Sequence, residues 1–157
     1  MKRMAAVACL LSICSCSGLT CSQNRHRAIR HMNAGVKHFS DGIYAAALTS
    51  LKAAVREDDT FDKAHYNLAN VLLKQGKIDD AITHYAEAIR LRPNFAEAHG
   101  NLAFALLNRG QPDEALAHAR QAVRLRPSFA NAYKTLRANT GERENSAGGG
   151  MASLASP

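Results

Sequence analysis

The chain of 157 residues is long enough for one ordinary domain and too short for two comfortable ones. Hydrophobic residues make up 46%, but aromatics only 6% and tryptophan is absent, which argues against one large ring-filled core and for closely packed helices with small residues between them. The formal charge of +7 does not mark a specific nucleic-acid partner: residues 62–95 hold five Lys/Arg against four Asp/Glu and residues 96–129 four against three, so each segment nets +1 and the excess lies towards the ends.

The chain opens on Met1-Lys2-Arg3, followed by an uncharged apolar run from Met4 to Ile13. This is the length of a signal-peptide core and too short to span a bilayer. All four cysteines (Cys9, Cys14, Cys16 and Cys21) fall in or just after this stretch, and the last 136 residues have none. They are therefore not a disulfide framework for the fold. Ile13-Cys14-Ser15-Cys16 resembles a bacterial lipobox, with an aliphatic residue three places and a small one immediately before the modified cysteine. Cys16 is the expected lipid anchor and Cys21 the alternative; two acyl chains hold a protein firmly on a bilayer. Residues 1–21 are read as leader and linker, with Arg25 and Arg27 just ahead of the first helix.

From residue 28 the sequence repeats itself every 34 residues. His31, His65 and His99 form one column, Asn33, Asn67 and Asn101 a second, Ala47, Ala81 and Ala115 a third, and Ala54, Ala88 and Ala122 a fourth. Gly42, Gly76 and Gly110 recur at the same interval, and Pro93 and Pro127 each end a run of Ile/Val-Arg-Leu-Arg-Pro. Each unit holds two runs with apolar residues three and four apart, so each is a helical hairpin. The glycines fall between the runs, where a left-handed turn is needed. Pro112, followed by Asp113-Glu114, suits the first turn of a helix, and Pro93 and Pro127 stop the second helices.

These columns resemble the tetratricopeptide repeat. The second unit reads His65, Leu68, Ala69, Leu72, Ala81, Tyr85, Ala88 and Pro93 at the family's signature positions. The third reads His99, Leu102, Ala103, Leu106, Ala115, Ala119, Ala122 and Pro127. The first is the most degenerate, with His31, Ala34, Gly35, His38, Ala47, Leu51, Ala54 and Asp59. The resemblance implies an all-α, right-handed superhelical solenoid of three hairpins (28–61, 62–95 and 96–129) within a domain spanning 22–140. Ala130, Tyr133 and Leu136 begin a fourth unit that ends at Gly141, so 130–139 is expected to cap the stack. Residues 141–157, with Gly148-Gly149-Gly150, lack periodicity and are expected to be disordered.

Nothing in the sequence assembles a catalytic constellation, a phosphate loop or a cofactor motif, and the reading is of a binding protein, not an enzyme. Equivalent helices of neighbouring repeats lie about 10 Å apart, so His31, His65 and His99 do not share a metal ion. They are expected to fill the slot where the family carries an aromatic, and His84 and His118 to lie at the surface. The resemblance places the asparagine column on the concave face. A primary amide both donates and accepts, so Asn33, Asn67 and Asn101 are expected to grip an extended peptide backbone. The column is similar to the asparagine ladder of the long tetratricopeptide superhelix in protein O-glycosyltransferases. Met32, Val36, Lys63, Tyr66, Asn70, Lys74, Phe104 and Asn108 are expected to line the same groove, with the apolar members as anchors and the lysines facing acidic side chains. The family's carboxylate clamp is not expected, because Met32, Val36, Glu97 and Asn101 stand at its positions. The expected partners are another protein or peptide and, through the lipid anchor, the bacterial envelope, leaning towards the outer membrane. The alternatives are a self-associating homodimer that buries the degenerate first unit, or a non-catalytic subunit of an envelope enzyme or of a pilus or outer-membrane assembly machine.

Overall fold

The computed structural model describes residues 5–128, 132 and 135–137, with side chains from residue 22 onward. Among the described residues, six helices with defined bounds follow one another: α1 (Ala5–Ser40), α2 (Tyr44–Glu57), α3 (Asp62–Lys74), α4 (Ile78–Leu91), α5 (Ala96–Asn108) and α6 (Pro112–Leu125). They pair as three antiparallel hairpins, α1 with α2, α3 with α4 and α5 with α6, and the hairpins stack in chain order. No strand is found among the described residues, as an all-α solenoid requires.

The turns inside the hairpins follow directly from their glycines. Gly42, Gly76 and Gly110 have φ of +76°, +75° and +82°, a region that side chains with a Cβ rarely enter. In each, the glycine amide bonds the carbonyl three residues back, and the next amide bonds the carbonyl five back: Gly76 to Leu73 and Lys77 to Leu72, with the same pattern at Gly42–Ile43 and Gly110–Gln111. This double closure satisfies the last carbonyls of α1, α3 and α5. Pro112 opens α6 at its first turn. The second helices end at Leu91 and Leu125, two residues before Pro93 and Pro127.

The core is built from small residues at the helix crossings and larger ones in the seams. Ala47, Ala69, Ala81, Ala105 and Ala115 are fully buried in one continuous cluster with Leu51, Leu68, Leu72, Tyr85, Leu102 and Leu106. Gly35 carries the same logic further. A Cβ there would meet Leu51 Cγ at 2.6 Å and the Ala47 carbonyl oxygen at 3.3 Å, so the larger Leu51 is accommodated only because Gly35 has no side chain.

One difference from expectation concerns the N-terminal part. α1 runs unbroken from Ala5 to Ser40. Arg25 and Arg27 therefore lie inside a helix instead of ahead of one, facing the acidic end of α2: Arg25 Nη1 donates to Asp58 at 2.8 Å, and Arg27 lies 3.8 Å from Glu57. Arg25 also sits over the Phe61 ring at 4.4 Å. At the other end, Ala132 and Thr135 are buried and Arg137 is exposed, which fits a capping turn. Ala130, Tyr133 and the tail 141–157 lie outside the described residues.

Candidate functional site

A groove of about 590 Å³ lies between α3 and α5. Its polar floor is Asn70 and Asn101, with Tyr85 beneath them; Lys74 and Asn108 stand along it, and Phe104 contributes an apolar wall. Phe104 is 46% exposed, a large ring left in water beside an open groove. Phe39 from α1 closes one end together with Ile78 at the start of α4.

The floor is a hydrogen-bonded network. Tyr85 Oη donates to Asn70 Oδ1 at 2.6 Å, and Asn101 Nδ2 donates both to the same Oδ1 at 3.0 Å and to Tyr66 Oη at 3.1 Å. Tyr66 in turn packs against the rings of Tyr85 and Phe95, at 6.0 and 4.8 Å between centroids. Burial pushes the Tyr66 and Tyr85 phenols above their ordinary range, so both remain protonated donors. With Asn101 Nδ2 and Asn70 Oδ1 used internally, and the Asn70 amide also hydrogen-bonding towards the Tyr66 phenol, the Oδ1 acceptor of Asn101 and one Nδ2 hydrogen of Asn70 remain. These are what an extended backbone offers in reverse, one N–H and one C=O.

The three amides of the asparagine column therefore have three surroundings. Asn101 is on the groove floor. Asn67 lines a second, smaller hollow of about 430 Å³ with Lys63, Tyr66 and Glu97, while Asn33 is exposed and lines neither. Of the other expected groove residues, Asn70, Lys74, Phe104 and Asn108 are brought together around Asn101. Lys63 and Tyr66 belong to the second hollow. Val36 is 41% exposed and lies outside both. Met32 is partly buried and packs against two core clusters, bridging the first hairpin to the second instead of standing as an anchor. The basic side chains around the second hollow are mostly committed: Arg92 stacks over Phe95 at 3.4 Å and pairs with Asp62 at 2.8 Å, and Arg126 pairs with Glu97 at 2.6 Å.

The histidines differ from expectation. His65 and His99 are buried as foreseen, but His84 and His118 are partners of those rings and not isolated surface residues. The Nδ1 atoms of His65 and His84 are 3.1 Å apart, and those of His99 and His118 also 3.1 Å. The outer nitrogen of each buried ring meets a carbonyl: His65 Nε2 lies 3.0 Å from Asp59 O and His99 Nε2 3.1 Å from Pro93 O. A carbonyl only accepts, which fixes the proton of the buried rings on Nε2 and makes His84 and His118 the Nδ1–H donors. Their signal in the sequence was a second histidine column, 19 residues after the first, in the two units that have both.

Burial lowers the pKa of His84, His99 and His118; the facing His65 and Lys52 lower that of His84 further, and His99 that of His118. The folded chain thus binds fewer protons than the unfolded one once pH drops below the ordinary histidine value of about 6.5. The stability tied to these rings is fully present above that value and lost as pH falls through it towards the folded values. Thermal unfolding followed by circular dichroism is expected to show a melting temperature that falls between pH 7.5 and 5.5. A His84→Gln, His118→Gln variant is expected to show a flatter profile, and an equally steep one would assign the loss to other groups.

Comparisons with known proteins agree with this architecture. Two tetratricopeptide repeat models match the sequence, over residues 66–130 and 38–84. No curated protein sequence matches it. A crystal structure of MamA is similar, with a TM-score of 0.71 and 23% identity over 74% of this chain and 68% of that one. The first tetratricopeptide domain of Spaghetti (RPAP3), bound to the HSP90 peptide SRMEEVD, gives 0.74 and 19% over 76% and 95%. The second such domain of human RPAP3, in complex with the HSP70 peptide SGPTIEEVD, gives 0.71 and 22% over 74% and 98%. The fold and groove define a helical-repeat interaction module. The chain belongs to the tetratricopeptide repeat family.

Proposed function

We propose that this protein is a non-catalytic scaffold that binds an extended segment of a partner protein in the groove between α3 and α5. The observation that carries the reading is the floor of that groove, where Asn101 Oδ1 and one Nδ2 hydrogen of Asn70 are left over from an otherwise satisfied network. Orienting bonds to a peptide backbone come from these two amides, and an apolar contact comes from Phe104. Lys74, which makes no ion pair among the described residues, favours an acidic side chain. The peptide-bound structures of similar domains support a peptide partner in general. The absence of a clamp-like set at Met32, Val36, Glu97 and Asn101 argues for a peptide bonded along its backbone instead of by a terminal carboxylate. Selection of peptides from a displayed random library on the full chain tests this, with an Asn70→Ala, Asn101→Ala variant as the control that should enrich none of them.

The scaffold is further proposed to sit in a bacterial cell envelope as a lipoprotein anchored at Cys16, with the outer membrane favoured because Ser17 follows the anchor where aspartate commonly retains such proteins at the inner membrane. Among the described residues no helix is long and apolar enough to cross a membrane, so attachment in this reading rests on the acyl chains. Residues 22–40 also carry four Lys/Arg and no acid, a balance suited to an anionic headgroup layer. Expressed in a bacterial host, the wild-type chain is expected in the membrane fraction and Cys16→Ala in the soluble one, while Cys21→Ala stays with the membrane. Solubilisation by Cys21→Ala alone would move the anchor to that residue.

A further inference from the structure

Two histidine pairs of the same geometry occur one repeat apart, each joining the first helix of a hairpin to the second: His65 with His84 across α3–α4, and His99 with His118 across α5–α6. The first repeat lacks the pair, since Ser50 holds the position 19 residues after His31 where the others have histidine. In both pairs the Nε2 proton of the inner ring is given to a backbone carbonyl in the same slot, Asp59 or Pro93. That bond fixes the ring and turns its Nδ1 lone pair towards the neighbour, as the outer-shell bond of a metal-bound histidine does.

We propose that each pair is a binding site for a zinc ion, held by both Nδ1 atoms and by an acid one helical turn before the outer histidine. Two Zn–N bonds of 2.0–2.1 Å meeting near the tetrahedral angle hold their nitrogens about 3.3 Å apart; the observed separation is 3.1 Å in both pairs. The ring centroids are 5.3 Å apart in each, so the rings meet end to end and both must turn to bring their lone pairs onto one ion. The third ligand is Asp80 in one repeat and Glu114 in the other. These residues, themselves 34 apart, are exposed and lie four residues before His84 and His118, on the same helix face. Among the described residues no three such side chains already converge on a point, so the carboxylate swings in with the ion and water completes the tetrahedron. Binding moves the His84 proton from Nδ1 to the outward Nε2 through solvent; both rings stay neutral and no proton is released. The same exchange occurs at His118. Each ion would clip one hairpin together, on a face distinct from the peptide groove.

Zinc titration of the full chain by calorimetry, with its cysteines alkylated so that thiols do not compete, is expected to give two ions per chain. His84→Gln and His118→Gln each remove one and the double variant removes both, whereas His26→Gln changes nothing. Asp80→Asn weakens one site by about tenfold or more, by analogy with the losses seen on removing groups that support a metal site. Because His84 and His118 are only half buried, the variants are checked for unchanged helicity. Imidazole nitrogen NMR of the wild-type chain gives a second reading that needs no variant: zinc must move the Nδ1 resonances of all four rings, leave the Nε2–H of His65 and His99 in place, and shift the Nε2 of His84 and His118 from the bare to the protonated position. Two ions retained by the double variant, no binding at micromolar zinc, or coordination through Nε2 would each overturn the proposal.

Discussion

Replacing Tyr85 by alanine is expected to cost about 3–5 kcal/mol, the range for deleting a large buried aromatic, and so to remove much of the stability of a small solenoid. Tyr85 is fully buried and is the largest side chain with that degree of burial among the described residues. It lies in the continuous core cluster that receives residues from all three hairpins, among them Leu51, Leu72 and Leu106. The cavity would open in the middle unit, and in a solenoid each repeat leans only on its neighbours, so the outer hairpins lose their shared support together. Tyr85→Phe separates packing from hydrogen bonding. It keeps the ring and removes only the Oη bond to Asn70, whose Oδ1 still accepts from Asn101. Its cost should be the net value of one hydrogen bond, about 0.5–1.5 kcal/mol. Urea unfolding of the two variants measures the gap directly. A Tyr85→Ala midpoint close to that of Tyr85→Phe would mean the site collapses around the loss and that Tyr85 is not central to the core.

The placement of Tyr85 shows how far local pattern reaches. Its column in the 34-residue repeat, held by Leu51 and Ala119 in the other units, is enough to assign it to the core. The turns were equally legible, because Gly42, Gly76 and Gly110 answer a backbone requirement that few other residues meet. The partner of its hydroxyl was not, since Asn70 is on another helix and its choice depends on how the two helices are rotated about their axes. The same holds for His84 and His118. Helical periodicity says that they lie away from the centre of the buried stripe, but the ring opposite comes from 19 residues earlier across the hairpin. A buried tyrosine hydroxyl and a buried imidazole both need polar partners, and that need was the available clue. The asparagine column shows a different limit. Identical spacing places identical residues on equivalent helix faces, but the neighbours that decide whether an amide is free are not repeated: Tyr66 and Asn70 reach Asn101, whereas Asn33 stands exposed at the first unit.

That inequality fixes what amide replacement should do to peptide binding. Asn101→Ala is expected to weaken it and Asn33→Ala to leave it unchanged, in place of three equal losses down a ladder. A hydrogen bond to a peptide in a half-open groove contributes about 0.5–1.5 kcal/mol, so Asn70→Ala and Asn101→Ala together should reduce affinity by about tenfold or more. Part of that loss could be indirect, because Asn101 also ties α5 to α3 through Tyr66 and Asn70. Asn101→Asp resolves the two contributions. A carboxylate in that position can still accept from a peptide N–H, but it no longer donates to Asn70 Oδ1 and sets a negative oxygen against it. If the amide acts through the peptide, Asn101→Asp should lose stability in urea while holding affinity better than Asn101→Ala. If Asn101 acts only by bracing the groove, the two variants should lose affinity in step with their stability. Equal affinities for wild type and the Asn70→Ala, Asn101→Ala chain, measured by fluorescence anisotropy on a selected peptide, would remove both amides from the binding surface and leave Phe104 and Lys74 to explain recognition.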